Sequence, residues 1–377
     1  MKILQLGKFY PIRGGVEKVM WDLTRALAVR AVDCDMLCAY DKPSMRREDR
    51  SPVGGEIVFN AHGRCICVPA LCKLSATMIA PAMVSWLRRH CREYDIIHIH
   101  HPDPMAAVAL GLSGYKGRVI LHWHSDILKQ KALLKFYKPI QSWIIRRADT
   151  IVGTSPVYVR ESPYLAGVQD KVTFAQIGIE KIAYNARKVV TLQQIVGNRK
   201  IVFGLGRLVA YKGFSYLVDA ARYLPDDYMI VIGGMGVLEA GLREQIERNG
   251  LDGKVRLLGY LEDEDARAWM GACDVFVLSS VLRTEAFGIV QLEAMSCGKP
   301  VVATRIPGSG TAWVNADGES GINVPVRDSK ALADAILKIT ADAATYESFS
   351  KRALHRYEEM FTTDVMVEKI LKIYNLK

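Results

Sequence analysis

Short apolar runs and longer amphipathic stretches alternate along the whole chain. Ile3–Leu6, Asp35–Ala39, Ile57–Asn60, Asp95–Ile99, Arg118–His122 and Thr150–Gly153 read as strands. A second series starts at Lys200-Ile-Val-Phe-Gly-Leu-Gly-Arg207 and continues through Tyr228–Gly233, Val255–Leu258, Val275–Leu278 and Pro300–Ala303. Helices fit between the strands, among them Tyr216–Tyr223 and Leu238–Asn249. Strands alternating with helices predict parallel sheets covered on both faces. The polar, weakly periodic stretch Ile179–Arg199 reads as the join, and Thr362–Leu376 as an amphipathic helix added after the second sheet. The pattern predicts an α/β protein of two Rossmann-like domains, 1–185 and 195–360, facing each other across a cleft. Residues 361–377 are expected to pack back on the first domain.

The 377 residues suit two domains, and 50% apolar with 24% charged residues is an ordinary globular composition. The opening Met1-Lys-Ile-Leu-Gln-Leu-Gly-Lys8 reads as a buried strand rather than a signal peptide. No uncharged apolar run approaches the ~20 residues of a membrane span. Of eight cysteines only Cys65, Cys67 and Cys72 cluster, with His62 nearby; reduced thiols are favoured there over a structural zinc. Charge is uneven: residues 1–190 hold 28 Lys and Arg against 16 Asp and Glu, and 191–377 hold 22 against 24. The run Lys129–Arg147 contains no acid, and Met83–Arg92 is also basic. Basic residues interleaved with Trp, Tyr and Leu suit an anionic membrane surface, ahead of a solvated helix face and of nucleic acid.

The chemistry concentrates in Glu285-Ala-Phe-Gly-Ile-Val-Gln-Leu-Glu293. The strand before it places Glu285 at a carboxyl edge, where open α/β sheets bind ligands. Glu293 falls about two turns into the following helix, whose first amides suit an anion. Two carboxylates and a helix terminus fit a polyhydroxylated, phosphorylated ligand such as a nucleotide sugar. Arg207 and Lys212 lie in Gly206-Arg-Leu-Val-Ala-Tyr-Lys-Gly213 after the first strand of the second half. A guanidinium fork and a mobile ammonium there suit a diphosphate. Gly204-Leu-Gly206 lacks the third glycine of a dinucleotide fingerprint, since Val209 occupies that place. Gly14-Gly15-Val-Glu opens a helix after the first strand and can admit a phosphate closely. His122-Trp-His124-Ser-Asp126 ends a buried strand, so one or both histidines are expected to face the cleft and meet a sugar hydroxyl or developing positive charge. His98, His100 and His101 read as loop-anchoring polar groups. Asp33-Cys-Asp35 sits at the wrong end of its strand for a metal site, and Glu262-Asp-Glu-Asp265 reads as a helix N-terminus.

With Asp95-Ile-Ile-His-Ile-His100 and Gly298-Lys-Pro-Val-Val-Ala303, these blocks resemble the family-4 retaining glycosyltransferases of the GT-B fold over nearly the whole chain. The resemblance implies a metal-independent, retaining transfer from a nucleotide diphosphate sugar. It assigns the donor diphosphate to Arg207 and Lys212, with Gly14 and Gly15 capping it from the other domain. Glu285 with Ala286, Phe287, Gly288 and Ile289 would hold the hexose, Glu293 the ribose, and His124 would meet the sugar across the cleft. His124, Glu285, Arg207 and Lys212 are thus the candidate catalytic set. No cofactor or metal is expected. Ile177-Gly-Ile-Glu180 departs from the family's usual Asn-Gly-Val-Asp at the join. His-Trp-His-Ser-Asp with Ser155-Pro-x5-Ser162-Pro looks like the bacterial surface-polysaccharide mannosyltransferases, which implies GDP-mannose as donor. The expected acceptor is a glycan or polyprenyl-pyrophosphate-linked saccharide, placing the protein in the cytoplasm, peripheral to the inner face of the membrane. A nucleotide-sugar epimerase of the same fold and a non-catalytic nucleic-acid binder are the alternatives at this stage.

Overall fold

Packing divides the chain into Met1–Ile177 with Thr363–Lys377, and Gly178–Thr362, each around its own sheet. The structure, a computed structural model, describes residues 1–12, 14–40, 55–74, 77–127, 131–197 and 199–375, with backbone alone over 131–136. Arg13 and the start of the basic run at Lys129 lie outside the described residues.

The first unit holds β1 (Ile3–Tyr10), β2 (Cys34–Tyr40), β3 (Glu56–Asn60), β4 (Gly63–Pro69), the small hairpin β5 (Cys72–Leu74) and β6 (Thr77–Ile79), then β7 (Ile96–His101), β8 (Arg118–Trp123), β9 (Thr150–Gly153) and β10 (Val172–Phe174). Its main sheet runs β10-β9-β8-β7-β1-β2-β4-β3, parallel except for β3 against β4. Connections from β1 run one way along the sheet and those from β7 the other, so the switch point lies between β1 and β7. The last helix, Thr363–Tyr374, belongs to this unit: Tyr374 is fully buried and its hydroxyl accepts from Gln5 Nε2 at 2.9 Å. Arg118 donates to the carbonyls of Ile373 and Tyr374, satisfying two groups the helix end leaves open.

The second unit holds β11 (Lys200–Leu205), β12 (Tyr228–Gly233), β13 (Val255–Gly259), β14 (Val275–Leu278), β15 (Val301–Thr304) and β16 (Gly321–Val324), all parallel in the order β13-β12-β11-β14-β15-β16. The strands are runs of Val, Ile, Leu and Phe because both faces are covered. Val202, Ile230, Val275 and Val302 pack one face against Phe214, Leu217, Leu332 and Ile336. Here the switch point falls between β11 and β14.

The stretch read as a join contains the helix Ala186–Val196, started by Asn185, whose side chain accepts from the amides of Arg187 and Lys188. Only Val196 of that helix is buried, which is why its periodicity was weak in the sequence. Lys188 reaches Glu264 at 3.2 Å and Asp265 at 2.8 Å, on the acidic first turn of the helix Asp263–Ala272. The helix Lys131–Arg147 turns Tyr137, Gln141, Ile144 and Ile145 inward and leaves Lys138 and Arg146 exposed. Tyr137, Ile144 and Ile145 are therefore core, while Ile140 and Trp143 are half-buried.

Candidate functional site

Unit two assembles its polar site at the switch point. β11 ends at Leu205, and the chain passes through Gly206 and Arg207 into the single turn Ala210–Lys212. Gly213 follows at φ +66, and a Cβ there would collide with the carbonyl oxygen of Ser279 at the end of β14. That close approach locks the two loops together. Ser279 Oγ donates to the Lys212 carbonyl at 2.9 Å, and the Val281 amide to the Tyr211 carbonyl at 2.8 Å. Lys212 Nζ is thereby held 2.6 Å from Glu285 Oε2, with both side chains nearly buried at 12% and 13% exposure. Ser280 Oγ donates to the same oxygen at 3.0 Å. Ser309 Oγ donates to the Glu285 carbonyl and the Gly310 amide to that of Ala286, fixing the loop from beyond β15. Arg207 is exposed, and its Nη2 donates to the Tyr211 hydroxyl at 3.3 Å.

Ala286, Phe287 and Gly288 are buried, and the helix Ile289–Ser296 starts from Gly288 in the left-handed conformation, φ +77. Glu293 is half-buried little more than one turn into that helix, not two, because the helix begins only at Ile289. Sequence reasoning missed Ser280, Ser309 and Tyr211. Ser280 lies just past the strand Val275–Leu278; Ser309 belongs to a later loop, and only the fold brings it back.

The first unit builds a histidine stack along β7 and β8. His98 and His100 alternate with Ile97 and Ile99 on β7, and His100 pairs in register with His122 of β8. Ring centroids lie 4.0 Å apart for His122–His124 and 5.0–5.2 Å for the other neighbours, nearly parallel. All four are at most 4% exposed, so they form core, not the loop anchors read for His98 and His100 from sequence. A chain of bonds fixes the tautomers. Gln5 Nε2 donates to Tyr374, whose hydroxyl donates to His98 Nδ1. His100 Nε2 donates to Gln5 Oε1 at 2.8 Å, so its Nδ1 accepts from His124 Nε2 at 2.8 Å. Burial holds these imidazoles well below their ordinary pKa, His122 down to about 3. Burial therefore favours the neutral form of His124, whose N–H is committed to His100. Nitrogens of His98, His100 and His122 lie within 4.8 Å of one another, but stacked rings aim their lone pairs side by side and not at a common ion.

At the switch point of this unit Lys8 is buried, with φ +62; its amide donates to Asp103 Oδ2 and its Nζ to the Pro102 carbonyl. Gly14 caps the helix Gly15–Val29, as the paired glycines predict. Asp126 joins both family-like motifs, accepting from Trp123 Nε1 and from Ser162 Oγ at 2.8 Å each, while its amide donates to Tyr158. Asp35 is engaged by Tyr94 at 2.7 Å and by Arg64 and Lys2, on a strand that begins at Cys34.

Two doubly wound parallel units, one with paired cations and a carboxylate at its switch point, define a GT-B glycosyltransferase. Residues 13–180 match the family described as Glycosyltransferase Family 4, and 191–356 that described as Glycosyl transferases group 1. O-antigen chain mannosyltransferase C of Escherichia coli is 32% identical over 99% of this chain and 98% of its own. D-rhamnosyltransferase WbpZ of Pseudomonas aeruginosa is 30% identical over 96% of this chain and 92% of its own. Anabaena HepE, solved with UDP, superposes with a TM-score of 0.78 at 22% identity over all of both chains. Sucrose-phosphate synthase of Thermosynechococcus elongatus gives 0.79 at 21%, covering 100% of this chain and 98% of that one. The chain belongs to the family-4 glycosyltransferases.

Proposed function

We propose that the protein is a retaining hexosyltransferase that moves mannose from GDP-mannose to a glycan or polyprenyl-pyrophosphate-linked acceptor in bacterial surface-polysaccharide synthesis. The observation that carries this reading is the Lys212–Glu285 pair beside Arg207, at the switch point where an open sheet receives a nucleotide. Arg207 and Lys212 meet the charge that develops on the departing diphosphate, and the amides of Ala286–Gly288 add their dipoles. Glu285 holds the hexose hydroxyls and Glu293 the ribose. The acceptor hydroxyl attacks from the face the diphosphate leaves, and a phosphate oxygen takes its proton. Arg207, Lys212 and the helix amides face the diphosphate in this scheme, which invokes no metal, as the family resemblance implies. Gly14, Gly15, Ile289 and His124 enter on the family resemblance. Mannose is supported by the 32% identity to a mannosyltransferase; the rhamnosyltransferase at 30% keeps a deoxyhexose as the competing outcome.

A ligand that binds only the native state raises its melting temperature. Among GDP, UDP, ADP and their sugars, GDP and GDP-mannose are expected to give the largest shift. A larger shift with UDP-sugars would overturn the donor, and sugar-nucleotide turnover without acceptor would indicate an epimerase.

Among the described residues no helix is long and apolar enough to cross a membrane. A peripheral site at the inner membrane face is supported by the helix Pro81–His90, where Arg88 and Arg89 are exposed and Arg88 donates to the carbonyl of Leu112, itself 52% exposed. Leu71 and Leu74 are also exposed in this unit. Binding to vesicles containing anionic lipid is expected to weaken with salt and to drop in Arg88→Glu/Arg89→Glu. Equal sedimentation of variant and wild type would show that this face is only solvated.

A further inference from the structure

Cys38 lies on β2, and Cys65 and Cys67 lie on β4. The strands are parallel neighbours in which Cys38 stands opposite Cys67 and Met36 opposite Cys65. Residues two apart share a face, so all three thiols enter one space. Their sulfurs form a nearly equilateral triangle: 3.6 Å for Cys38–Cys65, 3.7 Å for Cys38–Cys67 and 3.7 Å for Cys65–Cys67. None is in a disulfide, and exposure is 0%, 0% and 5%. Met20 and Met36 belong to the same cluster, which Trp21, Ile57 and Phe59 close. The trio differs from the cysteine group suggested by sequence: Cys72 is exposed on the hairpin, and Cys38 replaces it from a strand 27 residues away from Cys65.

The plain alternative is three small core residues sharing weak S–H···S contacts. The spacing favours more. Metal–thiolate bonds of about 2.3 Å let one ion reach all three sulfurs from roughly 1 Å above their plane, with no backbone movement. Zinc in a closed site takes four donors. Among the described residues no fourth His, Cys, Asp or Glu joins this group, whereas thiolate and thioether donors together select Cu(I). We propose that Cys38, Cys65 and Cys67 form a site for a thiophilic cation, Cu(I) in preference to Zn(II). Occupancy ties β2 to β4 at the Cys38–Cys67 pair, two residues short of the carboxyl ends of the strand pair, where Tyr40 pairs with Pro69.

The test titrates the reduced full-length protein with Cu(I), without oxygen, against a competing chelator. One equivalent is expected to bind, with copper–thiolate charge-transfer absorbance and a rise in melting temperature. Cys38→Ser and Cys67→Ser are each expected to weaken uptake at least 100-fold, while Cys72→Ser leaves it unchanged. Copper K-edge absorption of the wild type, which needs no variant to fold, should show three sulfurs at about 2.3 Å. Nitrogen neighbours there, uptake unchanged in both serine variants, no uptake by the wild type, or tighter Zn(II) than Cu(I) binding would each overturn the proposal.

Discussion

Lys212→Ala is expected to lower kcat/KM by roughly 10²–10³, the usual cost of removing a group that meets developing charge. Glu285→Ala should be comparable in transfer, because the carboxylate both orients Lys212 and holds the hexose in the proposed reading. Each single variant also leaves a charge without its partner. Complete burial makes such a loss worth about 3–5 kcal/mol; with 12% and 13% exposure here, about 1–3 kcal/mol is expected. Stability and activity therefore fall together in both, and neither variant alone separates a site from a strut. The double variant Lys212→Met/Glu285→Leu does, because it replaces the pair with apolar groups of similar volume. Denaturant midpoints should return close to the wild type, while kcat/KM stays as low as in the worse single variant. Recovery of both would make the pair a strut only, and near-normal turnover in either single variant would remove it from the reaction.

Both residues were legible in sequence because each stands beside a strand whose apolar run is unmistakable. Their contact was not. Glu285 and Lys212 are 73 residues apart, and what joins them is the collision-free approach of Gly213 to Ser279, a property of crossover geometry. The same limit hid β4, whose Cys65-Ile-Cys67 drew attention as spaced thiols and not as alternation within a strand. It hid β16 too, where buried Asn323 breaks the apolar run and is satisfied by the carbonyls of Ala312 and Asn315. From sequence His98, His100 and His101 read as loop anchors, and His122 and His124 as groups facing the cleft. Stacking four of them requires β7 and β8 to pair in register and Tyr374 to return from the chain's far end, and no local pattern encodes that.

That stack makes stability depend steeply on pH, falling as pH drops from about 7 toward 5. An unfolded imidazole titrates near 6.5. In the native state burial holds His101 and His122 down to about 3 and pushes His98, His100 and His124 well below the ordinary value, with Lys8 adding to the effect at His100, His101 and His124. For a base whose native pKa is depressed, stability is complete above the unfolded value. It is lost as pH falls through about 6.5, and the loss continues down to the native pKa, since the unfolded chain binds more protons throughout that window. Each such histidine contributes up to ~1.4 kcal/mol per pH unit, so several together consume a normal folding free energy within one or two units. Asp103 opposes this weakly, because burial raises its pKa. His122 offers the cleanest test. It is 1% exposed, and neither ring nitrogen has a hydrogen-bond partner among the described residues. His122→Leu should therefore cost little at pH 8, flatten the dependence by one proton and leave the variant more stable than the wild type at pH 5.5. Denaturant midpoints that stay level between pH 8 and pH 5 in the wild type, or a slope untouched by His122→Leu, would show that the stack is protonated in the folded protein.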